Sequence, residues 1–292
     1  MENLKARVAA IESIIQSYMP QPEGPAATVM EAMNYTMNAG GKRLRPMLMQ
    51  ETYKMFGGNG REIEPFMAAI EMIHTYSLVH DDLPALDNDD YRRGRKTAHV
   101  VYGEAMAILA GDALLNYAYE TAAKAFPMTE DLQPVVRAYT ILTRKPGIYG
   151  MIGGQTADVE LTGKAVNEED LSYIYENKTG ALIEASMMIG ACLANATVEE
   201  VKEIERLASI VGRAFQIQDD ILDVEGTEEE LGKPLHSDEE NGKVTYVTLH
   251  GLTAAKAEVE NLSQQAVKIL DGFSKENPFL RELILALVHR RN

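Results

Sequence analysis

The fold is decided by the stretch Tyr76-Ser77-Leu78-Val79-His80-Asp81-Asp82-Leu83-Pro84-Ala85-Leu86-Asp87 and by a later counterpart, Phe215-Gln216-Ile217-Gln218-Asp219-Asp220-Ile221-Leu222-Asp223. Each places three carboxylates within one or two turns of an apolar helical run. Carboxylates this close repel one another, and those at a helix C-terminus also face the negative end of the helix dipole. Cations between them would relieve both effects. We therefore predict a metal site formed by Asp81, Asp82, Asp87, Asp219, Asp220 and Asp223.

The ligand types indicate which metal is bound. Asp219 and Asp223 are four residues apart and share a helix face. Hard carboxylate oxygens without thiolates favour Mg²⁺ or Mn²⁺ over zinc. An EF-hand beginning at Asp87 is excluded, because Arg92 occupies the position that needs glycine and Ala98 the position that needs glutamate. A single acidic cluster is about as often a solvated helix end, but two clusters that follow apolar runs favour a metal.

Length and composition limit the class of protein. The 292 residues are enough for a large core, and without a linker or repeat we expect a single domain over residues 1–292. A net charge of −16 argues against a nucleic-acid surface. The one cysteine, Cys192, excludes an intrachain disulfide and favours a reducing compartment. The N-terminus lacks a secretory signal, and no apolar run reaches the roughly 20 residues that span a bilayer. We expect a cytoplasmic protein without membrane insertion.

Apolar residues recur at helical spacing almost throughout, which predicts an all-α protein. Pro84 should end the helix before Asp87, and Pro146-Gly147 should break or kink the chain. We expect polar loops over 87–96 and 226–242. The predicted helices cover 4–18, 27–38, 45–56, 63–82, 103–125, 132–144 and 148–161, followed by a long helix beginning at Asn167, another beginning after Thr197 that carries the second acidic stretch, and two or three shorter ones.

Basic residues lie close to both acidic stretches in this otherwise acidic chain. Gly40-Gly41-Lys42-Arg43-Leu44-Arg45-Pro46 places three cations beside a flexible turn and a helix N-terminus, which suits an anion. Arg92-Arg93-Gly94 follows the first acidic stretch, and Lys178-Thr179, Lys233 and Lys243 accompany the second. A short basic cluster alone is more often solvated surface. Together with the carboxylates, these cations predict a diphosphate bound jointly by metal and basic side chains.

With these residues in place, the chain resembles the trans-isoprenyl diphosphate synthases, and among them the bacterial farnesyl diphosphate synthases. The resemblance rests on the basic turn at 40–46, both acidic stretches with Arg92-Arg93-Gly94, and the motifs Ala110-Gly111-Asp112, Gly153-Gly154-Gln155 with Asp158, and Lys178-Thr179-Gly180. It implies a single large helical bundle around a central substrate cavity, a homodimer, and head-to-tail condensation of isopentenyl diphosphate with an allylic diphosphate.

The resemblance also implies roles for individual residues. Asp81, Asp87 and Asp219 would hold three Mg²⁺, for which Mn²⁺ could substitute, with Asp82, Asp220 and Asp223 as further ligands or their partners. Arg92, Lys178, Thr179, Gln216 and Lys233 would bind the allylic diphosphate, with Lys243 nearby. Lys42, Arg45, His74 and Arg93 would bind isopentenyl diphosphate. The residues expected to drive catalysis are Asp81, Asp82, Asp87, Arg92, Lys178, Asp219 and Lys233.

Product length is expected to be set beneath the first acidic stretch. Tyr76 lies about 7.5 Å along the helix before Asp81, so that its ring could floor the channel, and Ser77 leaves room beside it. In the family this pattern goes with a C15 product, farnesyl diphosphate. A geranyl or geranylgeranyl diphosphate synthase remains an alternative, and Tyr76 as an ordinary core residue is a serious competitor.

Two further classes of protein share part of this pattern. A class I terpene cyclase would have a different second metal motif, and a non-catalytic subunit of a heteromeric prenyl synthase would be expected to have lost one acidic stretch. We expect the loop at 226–242 to close as a lid over the substrates. The chain departs from the family pattern at His236, Asn88 and Pro146, which puts lid geometry and helix angles in doubt more than activity.

Overall fold

The computed structural model describes residues 4–225 and 243–288, and most of these residues are helical. The all-α prediction is confirmed. The helices are α1 (Leu4–Tyr18), α2 (Ala27–Met37), α3 (Leu44–Met55), α4 (Glu64–Asp81), α5 (Ala98–Tyr102), α6 (Glu104–Ala123), α7 (Gln133–Arg144), α8 (Met151–Leu161), α9 (Glu168–Ile174), α10 (Ala181–Leu193), α11 (Val198–Glu225), α12 (Tyr246–His250), α13 (Leu252–Leu270) and α14 (Pro278–Val288). Short 3₁₀ turns cover Gly24–Ala26 and Phe126–Met128.

The helix predicted to begin at Asn167 is interrupted. The Asn167 side chain caps α9 by accepting from the Asp170 amide, as its sequence suggested. Beyond α9, Tyr175–Gly180 form a π-helical segment before α10 continues. π-helical turns are rare and frequently lie at functional sites.

Two smaller departures concern the neighbourhood of the first acidic stretch. The predicted loop at 87–96 contains a hairpin in which β1 (Tyr91–Arg92) pairs antiparallel with β2 (Arg95–Lys96). Arg93 and Gly94 occupy its turn with φ of 54° and 73°, as a tight hairpin turn requires. The following helix begins at Ala98 instead of 103, and Gly103 with φ of 83° separates α5 from α6.

The core lies around α4 and α10. α4 packs chiefly against α6, while α10 lies between α3, α7 and α11. All 13 residues of α10 are buried, which explains its nearly unbroken apolar sequence. A smaller cluster joins α9, the π-helical segment, α11, α12 and α13 around Tyr175, Ile217 and Val247. None of the helices described has the combined length and apolarity needed to cross a membrane.

Candidate active site

A cavity of about 1130 Å³ opens between α3, α4, α8, the π-helical segment and α11. Asp81 and Asp219 both line it, so the two acidic stretches meet across one space. The other lining residues with a predicted role are Lys42, Arg45, His74, Tyr76, Ser77, Arg93, Lys178, Thr179 and Gln216. The cavity therefore brings together residues from four distant parts of the sequence.

Asp81 ends α4 at the rim of the cavity. Its Oδ1 accepts a hydrogen bond of 2.8 Å from Gln155 Nε2 on α8. Burial raises the pKa of Asp81 to about 6, and Asp87 adds to this effect while Lys178 opposes it. Burial thus disfavours the charged form of this carboxylate, and a bound cation would stabilise that form.

The chain after Asp81 returns towards it, as the proline suggested. The backbone N–H of Asp87 donates to the Asp81 carbonyl over 2.9 Å. Asp87 also lies 3.8 Å from Lys243 Nζ, which enters from the segment before α12. The unwound turn therefore keeps Asp87 beside Asp81 and within reach of a cation from the C-terminal part of the chain.

Asp82 is buried and does not line the cavity. Its Oδ1 lies 2.6 Å from both Nε and Nη2 of Arg92. Arg92 is 3.6 Å from Asp89 as well. Asp82 and Arg92 thus hold the hairpin turn against the end of α4, and neither is among the residues that line the cavity.

The second acidic stretch divides in the same way. Asp219 lines the cavity, whereas Asp220 and Asp223 are only 2% and 4% exposed. Gln216, one turn earlier, contacts the cavity and accepts a 2.8 Å hydrogen bond from Thr179 Oγ1. Asp219 is therefore the carboxylate of this stretch that is placed to meet a substrate.

Lys178 and Thr179 reach the cavity from the π-helical segment, which is closely packed on two sides. Lys178 Nζ forms an ion pair with Asp158 on α8. Gly154 lies so close to the segment that a methyl group there would be 2.1 Å from the backbone nitrogen of Lys178. A methyl group at Gly212 would be 2.8 Å from the Gly180 Cα. Both glycines allow the backbone approach that places Lys178 and Thr179.

The part of the cavity lined by Lys42, Arg45 and His74 is its basic end. Burial lowers the pKa of Arg45 to about 10, while Glu71 opposes this shift. Its Nε is buried and has no hydrogen-bond partner among the described residues. Burial and the neighbouring arginines lower the pKa of His74 well below its usual range, so that its imidazole is neutral. An anion here would supply the missing charge and acceptors.

This basic end has a buried counter-charge. Arg43 has a left-handed backbone, with φ of 48°, at the start of α3. Its guanidinium donates to Glu71 Oε1 over 2.8 Å and to the Met37 carbonyl over 2.6 Å. Glu71 also favours the charged forms of Arg45 and Arg93. The Glu71 carboxylate therefore stabilises the positive charge of three arginines, Arg43, Arg45 and Arg93.

Tyr76 and Ser77 line the cavity. The Tyr76 side chain is 6% exposed, and its ring meets that of His80 edge-on with centroids 5.8 Å apart. Burial raises the pKa of Tyr76. The ring is thus both a core group and part of the cavity wall. The two interpretations of Tyr76 from the sequence, as a channel floor and as a core residue, are therefore compatible.

Several predicted residues cannot be placed in the site. Lys233, His236 and the proposed lid at 226–242 lie outside the described residues. Within the described ranges, no three His, Cys, Asp or Glu side chains are arranged to hold a metal ion by themselves. The assignments of the individual site residues therefore remain predictions.

Four residues in or beside the site had no predicted role: Glu71, Gln155, Asp158 and Tyr175. Asp158 and Gln155 belong to a motif that supported the resemblance, but the sequence does not show that they pair with Lys178 and Asp81. Glu71 carried a signal, because a carboxylate among the apolar residues of α4 needs a buried partner.

The polyprenyl synthetase family profile matches residues 26–277 of this chain. The chain belongs to this family. A farnesyl diphosphate synthase from Geobacillus stearothermophilus is 42% identical over 291 residues, which are 98% of this chain and 97% of that protein. A geranylgeranyl diphosphate synthase from Cyanophora paradoxa is 40% identical over 273 residues, 93% of this chain and 90% of that protein. The predicted family, trans-isoprenyl diphosphate synthase, is confirmed.

Among solved structures, a geranyltransferase from Helicobacter pylori complexed with magnesium and isoprenyl diphosphate superposes with a TM-score of 0.84. It is 33% identical, and the match covers 98% of this chain and 95% of that chain. This likeness supports the predicted isoprenoid synthase type of fold, with its helices arranged around a cavity.

Proposed function

We propose that this chain condenses isopentenyl diphosphate with dimethylallyl diphosphate and then with geranyl diphosphate, releasing farnesyl diphosphate. The enzyme is a trans-prenyltransferase, in agreement with the farnesyl diphosphate synthases among its relatives. The observation that carries the proposal is the cavity in which Asp81 and Asp219 from separate acidic stretches meet a basic cluster. That arrangement suits two diphosphates, one at each end.

Magnesium fits the donor set of the acidic end. Asp81 and Asp219 offer hard carboxylate oxygens to the cavity, with Asp87 adjacent, and burial raises the pKa of Asp81. We propose that three ions bind there, that Mn²⁺ can replace them, and that Asp82, Asp220 and Asp223 support the ligands from behind. When bound, the ions neutralise the leaving diphosphate and favour its departure.

The side chains of the cavity, together with Arg92, Lys233 and Lys243, account for the remaining steps. Lys178 and Thr179, with Arg92, Gln216, Lys233 and Lys243, bind the allylic diphosphate and stabilise the charge that develops as its C–O bond breaks. Lys42, Arg45, His74 and Arg93 hold isopentenyl diphosphate so that its double bond faces the allylic carbon. Its electron pair forms the new C–C bond, and a proton then leaves to the departed diphosphate. The apolar wall formed by Leu115, Met151 and Phe215 limits access of water to the cation.

Tyr76 supports the C15 product because its ring closes the cavity wall one turn below Asp81. The geranylgeranyl diphosphate synthases among the relatives favour a C20 product as the alternative. Incubating the purified protein with dimethylallyl and isopentenyl diphosphates and Mg²⁺, and separating the dephosphorylated products by chromatography, tests the proposal. A C15 alcohol is expected. A C20 product would overturn the chain-length assignment, and no released pyrophosphate would overturn the function.

We also propose a cytoplasmic homodimer. The surface exposes large apolar side chains that include Ile108 and Leu109 on α6 and Ile148 and Tyr149 before α8. Burying such side chains against a second copy would be favourable. Light scattering at micromolar protein concentration should give twice the 32.3 kDa of the chain. A monomer at that concentration would contradict the proposed dimer.

A further inference from the structure

Three segments of the chain meet at a buried junction beside the active-site cavity. Tyr175, the first residue of the π-helical segment, donates its hydroxyl to Asp220 Oδ2 on α11. The backbone N–H of Tyr246, at the start of α12, lies 3.0 Å from Asp220 Oδ2 and 3.0 Å from the Tyr175 hydroxyl oxygen. Tyr175 is 6% exposed and Asp220 is 2% exposed.

The junction separates Asp220 from its neighbour Asp219. Asp219 lines the cavity, whereas Oδ2 of Asp220 accepts from two donors in the protein interior and its Oδ1 lies 3.3 Å from Gln216 Nε2. This one buried side chain therefore contacts the π-helical segment, α11 and the start of α12 at once.

The element that it fixes carries Lys243. Thr245 caps α12, and the Tyr246 amide that follows is held by the junction. Lys243, three residues before Tyr246, lies 3.8 Å from Asp87 Oδ1 of the first acidic stretch. The position of Lys243 over the acidic end of the cavity therefore depends on where α12 begins.

We propose that the Tyr175 hydroxyl and the Asp220 carboxylate clamp the start of α12 and thereby position Lys243 over the first acidic stretch. Tyr175 is then a positioning residue for the reaction, acting through Lys243. The role of Lys243 in binding the allylic diphosphate rests on the proposed function, whereas the clamp itself does not.

Tyr175→Phe removes one hydroxyl group and leaves the ring in its apolar cluster. Amides in residues 243–250 should exchange hydrogen about tenfold faster in the variant, because the Tyr246 amide loses one acceptor and Asp220 loses one donor. The KM for the allylic diphosphate should rise several-fold while the KM for isopentenyl diphosphate stays unchanged. Tyr173→Phe is the matched control, since Tyr173 is 44% exposed and lies two residues away; it should change neither quantity.

A double-variant comparison tests whether Tyr175 acts through Lys243. In a Lys243→Met background, Tyr175→Phe should raise the allylic KM less than twofold further. If the two substitutions raise the allylic KM by factors that multiply, the positioning role is overturned. If amide hydrogen exchange in residues 243–250 is unchanged in Tyr175→Phe, the clamp is overturned. Asp220→Asn provides a second variant for the exchange measurement. Faster exchange in a protein that makes no prenyl product would leave the clamp standing and reject the proposed function, so the two failures are distinguishable.

Discussion

Arg43 and Glu71 form an ion pair of 2.8 Å in which each side chain is only 2% exposed. The pair joins the basic turn at the start of α3 to the middle of α4, three residues before His74. Because Lys42 and Arg45 flank Arg43, the position of both cations depends on this contact. The basic end of the cavity is thus assembled around a buried carboxylate.

Glu71→Gln should lower the free energy of unfolding by about 3–5 kcal/mol, because it leaves the Arg43 guanidinium buried without its partner charge. The KM for isopentenyl diphosphate should rise more than that for the allylic diphosphate, since the turn carrying Lys42 and Arg45 is loosened. Urea unfolding and initial-rate kinetics measure both. Asp271→Asn, which removes a partly exposed partner of Arg281, is the control and should change little.

Tyr76→Ala should extend the product beyond C15, because removing the ring opens the cavity wall below Asp81. Chromatography of products at saturating isopentenyl diphosphate measures the distribution. Tyr53→Ala removes another buried tyrosine, 4% exposed and not among the residues lining the cavity. It should lower stability by about 3–5 kcal/mol without lengthening the product. A product that still stops at C15 in Tyr76→Ala would identify Tyr76 as a core residue alone.

Chelating divalent metals should abolish condensation while leaving the melting temperature nearly unchanged, because the helices pack around apolar cores that need no ion. Adding Mg²⁺ back should restore the activity. Asp219→Asn should raise the Mg²⁺ concentration that gives the half-maximal rate, whereas Asp131→Asn on an exposed turn should not. Activity that survived exhaustive chelation would contradict the proposed metal site.

Gly154→Ala should reduce kcat at least tenfold, because its methyl group would lie 2.1 Å from the Lys178 nitrogen and would push the π-helical segment away from α8. Initial-rate kinetics measures kcat, and circular dichroism shows whether the variant is still folded. Gly272→Ala, where the nearest atom is the Ile269 carbonyl oxygen at 3.1 Å, is a control distant from the cavity. Equal activity in both variants would show that the close approach is not needed.

Helical periodicity predicted most of the fold, and charge indicated the two acidic stretches as metal-binding. Apolar spacing located nearly every helix, and Pro84 correctly indicated the turn that returns Asp87 to Asp81. These features are local, since each depends on residues within one or two helical turns. Charge indicated a metal at each stretch, whereas the approach of Asp219 to Asp81 was implied by the family resemblance.

The rest depends on long-range packing that the sequence does not display. The π-helical segment contains no interior glycine or proline to mark it, and its geometry is accompanied by close contacts to Gly154 and Gly212 on other helices. The sequence also did not show which carboxylate of each acidic stretch lines the cavity and which is buried. Asp219 and Asp220 are chemically identical neighbours, and only the positions of Tyr175 and Tyr246 separate them.

The π-helical segment also makes the length of this part of the chain a constraint of its own. A helix turns by about 100° for each residue, so that deleting one residue between 175 and 180 would rotate everything before it relative to everything after it. Either Tyr175 would leave Asp220 or Thr179 would leave Gln216. A single substitution can remove one of these contacts and leave the other intact. A deletion rotates one end of the segment relative to the other, so that both contacts cannot form together. The number of residues between 175 and 180 therefore matters as much as their identity.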